Sequence, residues 1–158
     1  MSTPTPYAEH VGDRNPVDVL RESAEDYRAV LSKFTPTQWA LPWQPGKWTA
    51  QQIMVHVAQW ESLMSGRLRL AVGVPDYTIQ PAHQDHLMGL EDKVVDGPTA
   101  FAAFDGLRRM NIAFAAALTP AVLAKIVRHP DRGDITVSDI LITLAGHGVH
   151  HLKQLKTY

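Results

Sequence analysis

Four stretches of this chain repeat their apolar residues at spacings of three and four, and that period constrains the fold more than any other feature. Val17, Leu20, Ala24, Tyr27, Leu31 and Phe34 form one stripe. Ile53, His56 with Val57, Trp60, Met64 and Leu68 form a second, and Ala100, Phe104, Leu107, Asn111, Phe114 and Leu118 a third. Val137, Ile140, Leu144, His147, His151 and Leu155 form the fourth. At about 3.6 residues per turn each stripe is one face of a helix, and that face leaves water only when another element covers it. The punctuation agrees. Asn15-Pro16 opens the first helix and Thr35-Pro36 ends it; Thr49 with Gln52 forms a capping box for the second, which runs to about Gly73. Pro98 or Thr99 opens the third, which ends near Leu118, and Thr136 caps the last. The segment from Ala121 to Val127 reads as one more short helix before a turn at His129-Pro-Asp-Arg-Gly133, and no run suits a sheet. The expected fold is all-α, a four-helix bundle with a long crossover between helices two and three. That crossover, Gly73 to Asp96, carries Pro75, Pro81 and Gly89 and has room for one short helical turn.

At 158 residues the chain suits one domain spanning 1–158. Fifteen Lys and Arg against sixteen Asp and Glu leave a net charge of −1, so no broad basic field exists to hold nucleic acid. The chain has no cysteine, which excludes a thiol nucleophile, a disulfide and a Cys-based zinc site. Metal binding would rest on carboxylates and the eight histidines. The start, Met1-Ser-Thr-Pro-Thr-Pro-Tyr7, lacks the charged-then-apolar pattern of a secretion signal. No stretch reaches the roughly 18 apolar residues of a membrane helix. A cytoplasmic protein with no membrane partner is expected.

The histidines divide by position. His147 and His151 occupy successive turns of the apolar face of the last helix, where two imidazoles four residues apart can converge on one ion. His150 lies on the polar face with Asp139, Thr143, Lys153 and Gln154 and should point sideways or outward. His56 repeats the inward placement between Ile53, Val57 and Trp60 on the second helix. A buried imidazole needs partners for both nitrogens, and each unmet group costs about 1–3 kcal/mol. A shared divalent metal on His56, His147 and His151 meets that need, whereas a single core histidine is ordinarily just hydrogen-bonded. His10, His83, His86 and His129 lie in loops or near ends, where solvation is the default. Asn111 is either solvated near the bundle end or turned into the metal cavity; Glu61 belongs in a surface ion pair. Trp39, Trp43 and Trp48 pack at the core edge or floor a pocket, and Arg67 and Arg69 are surface charges or the receivers of an anionic substrate. Gly146-His-Gly148 is a fragment of a dinucleotide fingerprint without its strand and carries no such meaning.

Three motifs resemble the DinB/YfiT-like superfamily of helical bundles. They are Pro45-Gly-Lys-Trp48-Thr-Ala-Gln-Gln-Ile-Met-Val-His56, His129-Pro-Asp-Arg-Gly133, and Gly146-His147-Gly-Val-His150-His151-Leu-Lys-Gln154-Leu, in the family's order. The resemblance implies a four-helix bundle, often a homodimer, whose three histidines hold zinc, nickel, iron or manganese. Carried over by position, these are His56, His147 and His151, the same three the stripes select. It further implies a small-molecule substrate, with S-transferases using low-molecular-weight thiols among the relatives. The expected function is therefore a metal-dependent thiol transferase or hydrolase, with a non-catalytic metal-binding stress-response module as the alternative. No further residue matches a catalytic position.

Overall fold

Side chains in the sequence cap every long helix of the computed structural model, which describes residues 4–158; the first three residues of the polar N-terminal run lie outside the described residues. Asn15 accepts the Val17 amide to start α2 (Pro16–Leu31), after a single-turn α1 (Ala8–Val11). Thr35 with Gln38 boxes a short α3 (Pro36–Ala40), and Thr49 with Gln52 boxes α4 (Ala50–Gly73). A crossover helix α5 (Gln84–Val94) leads to α6 (Gly97–Ala116), capped by Asp96 on the Thr99 amide. A one-turn α7 (Pro120–Leu123) precedes a hairpin of β1 (Ile126–His129) and β2 (Gly133–Thr136); α8 (Val137–Leu155) follows, boxed by Thr136 and Asp139. Each cap satisfies amides that a helix start leaves unpaired.

The four long helices α2, α4, α6 and α8 form the bundle. α4 packs against α6 and α8, and α2 against the same two, so α2 and α4 lie on one diagonal. The core is split. One apolar half gathers Leu20, Met64, Leu68, Ile140 and Leu144; the other gathers Tyr27, Ile53, Met54, Phe104 and Leu152. Between them runs a polar layer with a member from every bundle helix: Ser23, His56 with Glu61, Arg108 with Asn111, and His147 with His151, all buried.

Three expectations need correction: a helix to Val127, no run suited to a sheet, and a single helical turn in the crossover. The segment expected to be helical to Val127 stops at Leu123 and turns into a strand: Val127 and Ile135 pair across the antiparallel hairpin and bury their side chains. Four-residue strands are too short to show a period of two. The crossover is tied to this hairpin, because the Ile79 amide donates to the Arg128 carbonyl at 2.9 Å and the Arg128 amide to the Tyr77 carbonyl at 3.2 Å. It also contains a full eleven-residue helix rather than one turn, although only Met88 of α5 is buried. Among the described residues no helix is long and apolar enough to cross a membrane.

Candidate metal centre

His56, His147 and His151 meet in the polar layer. α4 and α8 are direct neighbours, which brings together residues 91 positions apart in the chain, and the helical rise sets His151 one turn beyond His147. The ring centroids are 5.0 Å apart for His56 and His147, 4.7 Å for His56 and His151, and 4.5 Å for His147 and His151. One ring nitrogen from each lies within 4.8 Å of the other two. Aromatic neighbours fix the rings. Trp48 and Trp60 flank His56 at 5.0 and 6.1 Å, and Tyr7 meets His147 edge-on at 5.4 Å. His151 Nδ1 lies 2.8 Å from the side-chain Oε1 of Gln154, so Nδ1 donates and the Nε2 lone pair stays free.

All three imidazoles are neutral at pH 7. Burial pushes His56 down to about 3, with the charges of His151 and His150 adding to it. Burial pushes His151 down to about 4 against the opposing hydrogen bond to Gln154. His147 falls well below its ordinary value, through burial first and then through its histidine neighbours and Arg108. Neutral imidazole is the form that ligates a cation. The spacing also fits. His56 Nε2 and His147 Nε2 stand 3.0 Å apart, and nitrogens about 2.1 Å from a shared ion stand about 3.0–3.4 Å apart. As a plain hydrogen bond, the contact makes one ring donor and the other acceptor, and in either tautomer His56 Nδ1 stays buried with no partner among the described residues. The donor set therefore suits a divalent cation of borderline softness.

His150 points elsewhere, as its polar face predicts. Its Nδ1 lies 3.2 Å from His10 Nε2, and His10 is half-buried there rather than solvated. Glu61 is not at the surface: its carboxylate forms a two-pronged ion pair with Arg108, at 2.9 and 2.7 Å, and both side chains are fully buried. Asn111 is neither solvated nor turned to the histidines. Its amide nitrogen donates to Glu61 Oε1 at 2.8 Å, and its oxygen accepts from Arg69 at 2.8 Å. Arg108 takes the inward position expected of Leu107. The two glycines around His147 have packing roles. A Cβ at Gly146 would overlap the Tyr7 carbonyl oxygen, and one at Gly148 would come within 2.7 Å of an Arg108 nitrogen.

A cavity of about 220 Å3 opens against His56 and His147. Trp60, Met64, Ile79, Ile135 and Ile140 give it apolar walls, while Arg67, His129, Asp131 and Arg132 add polar ones. Arg67 is thus buried rather than a surface charge, and His129 is half-buried. His83 and His86 are exposed. Trp43, Lys47, Trp48 and Gln154 border a more open hollow of about 410 Å3 against His151, whereas Trp39 packs on Phe34.

The model of the DinB superfamily matches residues 20–155. The chain belongs to the DinB superfamily. A protein from Bacillus mycoides (strain KBAB4), described as a "putative metal-dependent hydrolase", is 27% identical over 135 residues, 85% of this chain and 78% of that one. A protein from Bacillus pumilus (strain SAFR-032) with the same description is 25% identical over 142 residues, 88% of this chain and 80% of that one. The solved structure of YfiT from Bacillus subtilis, described as "a probable metal-dependent hydrolase with an unusual four-helix bundle topology", superposes with a TM-score of 0.80. It covers 89% of this chain and 82% of its own at 23% identity, and it bears out the expected bundle.

Proposed function

We propose that His56, His147 and His151 hold one divalent metal ion and that this DinB-superfamily chain is a metal-dependent hydrolase of a small molecule. The observation that carries the reading is the convergence of three buried, neutral imidazoles from two helices beside a cavity. The descriptions of its relatives support the reaction class. Three neutral protein ligands leave positions open for substrate, the pattern of catalytic rather than structural sites. When bound, such an ion polarises a carbonyl and lowers the pKa of a water towards about 7. The chain's own residues prepare the site. Gln154 fixes the tautomer of His151, Trp48 and Trp60 hold the plane of His56, and Met64, Ile79 and Ile140 keep the cavity wall dry.

A second reading, transfer to a low-molecular-weight thiol, draws on the hollow beside His151. It offers a cosubstrate its own approach to the histidines, and with no cysteine in the chain the thiol must come from outside. Elemental analysis tests the common premise. About one divalent ion per chain is expected in the wild type and in His150→Ala, and none in His147→Ala or His151→Ala. Equal losses in all three variants, or no ion after reconstitution with zinc, nickel, iron and manganese, refute it. Turnover of ester or amide substrates with and without added thiol then separates the two reactions; a metal-loaded protein inert in both is a binding module.

A further inference from the structure

The cavity has a second pole. Arg67 stands three turns beyond His56 on α4 and is only 8% exposed, yet no carboxylate among the described residues lies within ion-pair distance of it. Its guanidinium donates to the Gln80 carbonyl and the Met64 sulfur, and its Nε is buried with no partner among the described residues. The other deeply buried arginine, Arg108, has Glu61. A buried charge without a counter-ion costs several kcal/mol, so an uncompensated one against a cavity calls for an explanation.

Two further donors face the same space from the hairpin turn. Arg132 is half-buried, and among the described residues its Nε has no partner; its Nη2 reaches the Thr5 hydroxyl, which itself donates to Asp139, at 3.4 Å. His129 Nδ1 accepts the Asp131 amide at 3.1 Å, which leaves the proton on Nε2. Among the described residues Asp131 is the one acid lining this cavity; it is exposed and pairs with neither arginine. Apolar walls link this pole to the histidines. The Arg67 guanidinium carbon sits 5.7 Å from the centre of the Trp60 ring, which is 5.8 Å from His147 and 6.1 Å from His56.

We propose that this cavity selects a small organic anion, whose carboxylate or phosphate is gripped by Arg67 with Arg132 while its apolar body lies along Trp60 and its far end faces the three histidines. A guanidinium fork matches two oxygens of such a group at once, and Trp60 and Ile140 suit a hydrocarbon stem. The substrate class rests on the hydrolase reading; the anion pole does not, and it can be tested without turnover.

The experiment measures equilibrium binding of hexanoate, hexanamide and hexyl phosphate by calorimetry to wild type, Arg67→Met and Arg67→Lys, each metal-loaded and metal-free. Wild type should bind an anion at least about ten-fold tighter than the amide in both metal states, and Arg67→Met should lose that preference while keeping its metal content. Arg67→Lys, which keeps the charge and loses the fork, should fall between, and the stronger of the two anions names the oxyacid. Equal binding of hexanoate, hexyl phosphate and hexanamide by wild type overturns the proposal, as does a preference that survives Arg67→Met. A preference seen only in loaded protein overturns it too, because the anion then sits on the metal, and in that case the hydrolase reading stands alone.

Discussion

Replacing Glu61 by Gln tests whether the polar layer is held by charge. Its carboxylate receives Arg108 Nε at 2.9 Å, Arg108 Nη2 at 2.7 Å and the Asn111 amide at 2.8 Å, and the remaining Arg108 nitrogen donates to Ser23 at 3.0 Å. Gln nearly preserves the shape but leaves a buried guanidinium without its counter-charge, a loss of about 3–5 kcal/mol. Domains of this kind have about 5–15 kcal/mol in total, and urea slopes of about 1–3 kcal/mol per molar then shift the midpoint by roughly 2 M. Equilibrium unfolding followed by tryptophan fluorescence reads this directly. The double variant Glu61→Met with Arg108→Met removes both charges and fills the space with apolar atoms, so it should recover most of the loss. A Glu61→Gln midpoint within about 0.5 M of wild type, or a double variant as unstable as the single one, would refute the assignment of the pair as a coupled brace.

Gly146→Ala should dislodge the segment around Tyr7 and lower stability by about 1–3 kcal/mol, because the clash is with backbone rather than a flexible tip. Gly66→Ala, mid-helix on α4 with nothing near its Cβ, should raise stability by about 0.5–1 kcal/mol; a thermal melt of either variant that shifts the other way contradicts its prediction. Acid should weaken the metal-free protein. Burial holds folded His56 at about 3 and His151 at about 4, below the ordinary 6.5, so the unfolded chain takes up protons that the fold refuses. The stability these two supply is full above pH 6.5 and is lost as the pH falls towards about 4 for His151 and about 3 for His56, with about 4 kcal/mol gone by pH 5. Urea midpoints that match at pH 7.5 and 5 would dispose of the argument.

The helices and the three histidines were legible in the sequence because both depend on periodicity and capping, which are local. Thr49 and Thr136 mark helix starts within a residue, and the inward turn of His151 against the sideways turn of His150 follows from spacing alone. The hairpin was not legible, since Val127 and Ile135 are single buried residues in four-residue strands held partly by the crossover. Nor were Glu61 and Arg108. Each is charged and by default faces water, and only their meeting across α4 and α6 makes burial tolerable. Asn111 interrupting its stripe was the visible trace of that pair, and Arg108, three residues before it, was the partner to look for.

The separation of His56 from His147 bears on the order of assembly. A contact between residues 91 apart forms late, because closing so long a loop costs entropy that only packed helices repay. A partly synthesised chain that ends before α8 has neither His147 nor His151 and so has no chelating site at all. If the three histidines hold an ion as proposed, its capture would follow the folding of α8, and stripping the ion should return a folded apoprotein rather than an unravelled one.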